Sequence, residues 1–109
     1  MTFEEIVEML EDTKIPSVYY AWPESEAPAL PYICFYYPSM SPETADNTHH
    51  AVIYQLNIEL YTSNKDFTAE STVEDVLLAA DMVFTKEEQY LDKEHMYEVL
   101  YMMEVIIDG

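Results

Sequence analysis

The sequence predicts an α+β fold: a mainly antiparallel sheet of four to five strands with two helices on one face, in the order α-β-β-β-α-β(-β). Two kinds of pattern predict it. Residues 52–60 and 97–107 alternate strictly between apolar and polar or mixed positions, the signature of strands with one buried face. Residues 2–15 and 67–84 instead carry apolar residues at helical spacing. Consecutive strand segments with short connections suit an antiparallel sheet, and two helices then cover one of its faces. The 109 residues contain no evident linker or internal repeat, so a single domain spanning 1–109 is expected. A chain of this size buries roughly two-thirds of its unfolded surface.

Each element has a local reason. In "TFEEIVEMLEDTKIP", Thr2 and Glu5 have capping-box spacing, and Phe3, Ile6, Val7 and Leu10 form one apolar face. Glu4, Glu8 and Glu11 lie on the other side, and Pro16 disfavours helix at Ile15. "SVYYAW" reads as a short aromatic strand, followed by the proline-rich loop "PESEAPALP". "YICFYY" is the next strand; being apolar on both faces, it is expected to be covered on both. Pro38 to His50, "PSMSPETADNTHH", reads as a second loop because it is rich in Pro, Ser, Asp and Asn.

In "HHAVIYQLNIELYTSNKDF" the residues Val52, Tyr54, Leu56, Ile58 and Leu60 form the core face, with Gln55, Asn57 and Glu59 on the other. "TSNKD" ends the strand, with Asn64 suited to left-handed geometry and Asp66 to a local turn. Because the only glycine is Gly109, internal turns are expected to use Asn, Asp, Ser or Pro. The second helix, "FTAESTVEDVLLAADMVF", has an inner stripe of Ala69, Val73, Val76, Leu77 and Ala80. Ser71 with Glu74 offers an alternative start. "VFTKEEQYL" is expected to hold a short strand and a turn. "KEHMYEVLYMMEVII" is a long strand with Tyr97, Val99, Tyr101, Met103, Val105 and Ile107 on one face.

Charge is the compositional outlier. Asp and Glu number 22 against 4 Lys plus Arg, a formal net charge of −18. Such a chain repels nucleic-acid phosphates, whose binding requires Lys and Arg, and anionic membrane surfaces. The acidity could serve solubility, face a basic partner, or line a space that DNA crosses without sticking. Cys34 is the only cysteine; it can form no intrachain disulfide, and its apolar neighbours predict a buried thiol. The acidic N-terminal segment is unlike a signal peptide, and no apolar run approaches the ~20 residues of a membrane helix; a soluble intracellular setting is the expectation.

The chemistry-bearing residue types form no catalytic or metal pattern. His49 and His50 are adjacent, so on a strand they point to opposite faces. The acids of "PETADNTHH" lack EF-hand spacing and its central glycine. No serine lies in a glycine-flanked elbow, and phosphate-cradling loops need glycines that are not there. No enzyme activity, cofactor or metal is therefore expected. Assembly or binding is the better reading, with Glu43, Asp46, Asn47 and His49 of the second loop, and Gln55, Asn57 and Glu59 of the long strand, as the candidate assembly or lumen surface.

The ordered set "TFEEIVEML", "APALPYICFYYP", "ADN", "IELYTSNKD", "STVEDVL" and "EHMYEVLYMMEVII" resembles the small tail-completion proteins of long-tailed phages and prophages of Gram-positive bacteria, across nearly the whole chain. The resemblance implies a role similar to the tail terminators, or tail-to-head joining proteins. These are α/β subunits that form a ring, commonly a hexamer, on the end of the tail tube and present a surface to the head connector. It implies contact with the tail-tube protein and the connector protein, a place in the virion tail, and assembly in the bacterial host cytoplasm. DNA would pass through the centre without specific binding. A neighbouring head-completion protein is one alternative; an acidic DNA mimic that binds a basic nuclease or DNA-binding protein is another.

Overall fold

The computed structural model describes residues 1–46 and 49–108. Its elements are α1 (Phe3–Glu11), β1 (Ser17–Tyr19), β2 (Tyr32–Asp46), β3 (His49–Thr62), α2 (Phe67–Ala79), β4 (Phe84–Leu91) and β5 (Met96–Ile107). The five strands form one sheet in the order β1-β2-β3-β5-β4. The short β1 runs parallel to β2, and every other pairing is antiparallel. This is the expected α-β-β-β-α-β-β order.

Both helices pack on the same face. Ile6, Met9 and Leu10 of α1 and Ala69, Val73 and Leu77 of α2 join Ile33, Phe35, Leu56, Ile58, Leu60 and the odd-numbered residues of β5 from Val99 to Ile107 in one core. The alternation on β3 and β5 is therefore realised: Leu56, Ile58, Leu60 and Tyr101 are fully buried. Among the described residues no helix lies on the opposite face of the sheet.

The α1 start is built as its sequence implies, and the structure fixes the α2 start that the sequence left open. Thr2 and Glu5 form a reciprocal capping box, and Asp66 caps α2 by accepting from the Ala69 amide at 2.9 Å. The Ser71 alternative is thus not used. The α2 end is a Schellman motif: Met82 N–H donates to the Leu77 carbonyl and Asp81 N–H to the Leu78 carbonyl, each at 3.0 Å. Such an end needs a left-handed residue, usually glycine; here Asp81 takes it with φ of 58°.

Four expectations need correction. Among the described residues positive φ falls at Ser25 and Asp81, of the expected types, but also at Lys14, Tyr20 and His95, whose bulky side chains were not expected there, and Asn64 is not left-handed. Second, α1 is rolled about its axis: Met9 enters the core, whereas Phe3 and Val7 remain 43% and 40% exposed. Third, Phe84–Leu91 is a full eight-residue edge strand, held by its ladder to β5.

The fourth correction concerns Pro38 to His50, read above as a loop. The described part of this segment is strand, with β2 running to Asp46 and β3 starting at His49. Met40 pairs with Tyr54, Ser41 with Ile53 and Pro42 with Val52. Pro38 falls at a register shift between Tyr36 and Ser39, one of the few places where a sheet tolerates proline. Pro42 is tolerated because β1 reaches only as far as Phe35, so the outer edge of β2 has no strand waiting for its missing N–H. The long hairpin helps to extend the molecule to 50 × 28 × 22 Å.

Candidate functional site

The helix-free sheet face carries the polar residues of four strands. Tyr32, Cys34 and Tyr36 of β2 lie opposite Tyr61, Glu59 and Asn57 of β3. Glu98, Leu100, Met102 and Glu104 of β5 continue the face, and Glu87 and Gln89 of β4 complete it.

Gln55, Asn57 and Glu59, three of the candidate surface residues, belong to two separate hydrogen-bonded groups on this face, Gln55–Asn57–Tyr36 and Glu59–Tyr61–Glu98–Gln89. Gln55 Nε2 donates to Asn57 Oδ1, and Asn57 Nδ2 donates to the Tyr36 hydroxyl, both at 3.2 Å. The Tyr61 hydroxyl lies 3.0 Å from Glu59 Oε1 and 2.9 Å from Glu98 Oε2. Gln89 Nε2 reaches Glu98 Oε1 at 2.9 Å. The three residues are not freely solvated: Asn57 is 9% exposed, and Gln55 and Glu59 are half-buried. Long neighbouring side chains shade one another here, and the loop after β1 lies against the same face, with Tyr20 packing on Tyr36 and Trp22 on Tyr32.

The Glu59–Tyr61–Glu98 group has an uneven proton count. A phenol has one proton to donate, yet it faces two carboxylates. Burial pushes the Glu59 carboxyl above its ordinary value; the Tyr61 hydrogen bond opposes this and the charge of Glu98 adds to it. Once Glu59 is protonated, it donates to the phenolic oxygen and leaves the phenolic proton for Glu98. Burial, reinforced by hydrogen bonds to the two carboxylates, pushes Tyr61 itself strongly upward. Cys34 sits across from Glu59 in the ladder; burial and the Glu59 charge push its thiol up to about 11, so it is the inert buried cysteine its neighbours predicted.

The other candidates lie elsewhere. Glu43, Asp46 and His49 fall on the hairpin, where Asp46 pairs with His49 and Glu43 with Ala51. Their side chains, and Asn47 altogether, lie outside the described residues. Ten residues of strand separate His49 from Glu59, a rise of roughly 33 Å, so the two halves of the candidate surface do not form a single site. Among the described residues no cluster of His, Cys, Asp and Glu has the makings of a metal site.

Sequence reading missed Tyr61, Glu98 and Gln89 on this face. It also missed a second charged cluster, between α2 and β4. Glu70, 2% exposed, places Oε2 2.7 Å from Lys65 Nζ and Oε1 2.7 Å from Lys86 Nζ. The Oε1 contact is charge attraction without an aligned hydrogen bond. Lys86 also donates to Glu74 at 2.8 Å, Glu74 accepts from the Tyr101 hydroxyl at 2.7 Å, and Lys65 also pairs with Glu88. Burial alone would raise the Glu70 carboxyl; the two ammonium groups outweigh it and hold it below the usual carboxylate range. Two of the four lysines are thus engaged on the helix side of the sheet, away from the acidic open face. The sequence signal for this cluster was Glu70 and Glu74 at i, i+4 on the helix, with lysine just before it and again on β4.

No protein-family model matches the sequence, and no curated protein matches it. In structure the chain is similar to one chain of "Virion of native gene transfer agent (GTA) particle", with a TM-score of 0.59 and 13% identity. The match covers 93% of this chain and 84% of that one. At this identity the likeness is one of fold.

Proposed function

We propose that this chain is a structural subunit of a phage-like virion, acting at the head–tail joint as a tail terminator: a ring that caps the tail tube and presents a surface to the head connector. The observation that carries the reading is the near end-to-end fold likeness to a chain of a gene transfer agent virion. The resemblance of the ordered sequence segments to tail-completion proteins supports the finer assignment.

Two physical features fit a ring. The sheet has a free edge on each side, β4 at one and β2 beyond Phe35 at the other. Different surfaces on opposite sides suit heterologous contacts, which close into a ring when the rotation between copies permits. The open face carries Glu59, Glu87, Glu98 and Glu104, with no lysine among its strand residues. If it or the hairpin acids line the lumen, phosphates are repelled and DNA slides through without binding. The role is assembly, not catalysis.

Native mass spectrometry of the chain alone and with tail-tube protein tests this reading. A closed ring forming on the tube end, and tails of uncontrolled length without the chain, are the expected results. Association with the connector alone would move the assignment to a head-completion role. A persistent monomer that ignores both and captures a basic nuclease would replace it with DNA mimicry.

A further inference from the structure

The helix-bearing side carries an apolar groove that the core leaves open. Phe3 and Val7 of α1, Tyr19 of β1, Phe35 and Tyr37 of β2 and Tyr54 of β3 line it, over about 470 Å³. Tyr19 is 52% exposed, more than Phe3 or Val7. The walls are pre-formed: Phe3, Tyr37 and Tyr54 make a three-ring cluster with centroids 5.1–5.4 Å apart in edge-to-face geometry. Met40, 54% exposed and paired with Tyr54, extends the apolar surface along the hairpin. A contiguous exposed patch of this kind, unlike a scattered apolar residue, marks an interaction surface.

The rim gives the partner its charge. Glu4 and Glu11, seven residues apart on α1, flank Val7 and are exposed, whereas Glu8 faces the cleft between α1 and α2 with Met9 and Val76. Neither Glu4 nor Glu11 joins an ion pair among the described residues. A second copy is a poor neutraliser. The chain has no arginine and four lysines, of which Lys65 and Lys86 are held by Glu70, Glu74 and Glu88. Only Lys14 and Lys93 remain against a net charge of −18.

We infer that this groove is a docking site for a different protein, one that inserts apolar side chains flanked by Lys or Arg. The inference goes beyond the head–tail reading and does not depend on it.

Isotope-labelled protein titrated with three short synthetic peptides tests it: alternating Lys and Leu, alternating Lys and Ser, and alternating Glu and Leu. The Lys–Leu peptide should shift the signals of Phe3, Val7, Tyr19 and Tyr54 and bind roughly tenfold or more tightly than either control. Combined Val7→Ser and Tyr19→Ser should remove that advantage while the protein remains folded, with a cooperative urea transition and unperturbed signals away from the groove, since both side chains are about half exposed. Glu4→Gln with Glu11→Gln should weaken binding and flatten its salt dependence, whereas Glu87→Gln with Asp92→Asn, away from the groove, should not. Equal binding of the Lys–Ser peptide, or shifts that map away from the groove, would overturn the inference. So would groove signals that move with protein concentration alone, which would make the occupant a second copy.

Discussion

Replacing Glu70 by Gln should destabilise the protein by about 1–3 kcal/mol at pH 7, a figure that follows from where its partners sit. Breaking a fully buried ion pair costs about 3–5 kcal/mol, because a charge is left buried and alone. An exposed pair is worth about 0–1 kcal/mol. Glu70 belongs to the first class, its side chain 3% exposed, but Lys65 and Lys86 are 29% and 36% exposed. Each lysine also keeps a second carboxylate, Glu88 or Glu74. The loss therefore falls between the two limits. Equilibrium urea unfolding measures it, with an unchanged m-value confirming that the native and denatured states are otherwise alike. The pH dependence provides a second check. The Glu70 pKa is lowered in the native state, so its contribution is full above the unfolded value and is lost as pH falls through the folded one. The gap between wild type and Glu70→Gln should accordingly close in acid. A loss under about 0.5 kcal/mol, or one that persists undiminished at low pH, would refute the reasoning that these contacts anchor α2 to β4.

Glu59 should behave with the opposite sign. Its pKa is raised in the native state, so the folded protein holds more protons than the unfolded one between the two pKa values, and stability falls as pH rises through that window. Glu59→Gln should hence be more stable than wild type at neutral pH, with the advantage vanishing below the unfolded value; denaturation midpoints across the pH range will show whether it does. Cys34, with its thiol at about 11, should resist thiol reagents in the native state and react rapidly in denaturant, and fast native labelling would mean that the open face unfolds locally. Asp81→Gly should raise stability by up to about 1 kcal/mol, since glycine adopts the left-handed α2 end without a Cβ clash, and thermal melting will detect it. Asp66→Ala should cost about 1 kcal/mol through loss of the α2 cap, read from the same melts.

Much of the architecture is legible along the chain because the physics that sets it is short-ranged. The Thr2–Glu5 box and the Asp66 cap each join residues three apart. The two-residue alternation of 52–60 and 97–107 states which side of each strand meets the core, whatever lies there. The candidate surface was legible only in part. Gln55, Asn57 and Glu59 show themselves as the polar face of a strand, but Glu98 reaches Tyr61 from 37 positions away. That contact depends on the register of β5 against β3, which local pattern does not specify.

The sequence by itself determined the strand and helix periodicities, the α1 start, the buried thiol and the large negative charge, because each depends on neighbours within a turn or on simple summation. The tertiary structure alone decided the rest. Proline and serine between Pro38 and Pro42 suggest a loop, yet the segment pairs with β3 because the outer edge of β2 is free there. Phe3 and Val7 have the spacing of core residues, yet the packing of α1 through Met9 leaves them as the wall of an open groove. Register and helix roll are set by how whole faces meet, and that choice is made only when the elements pack.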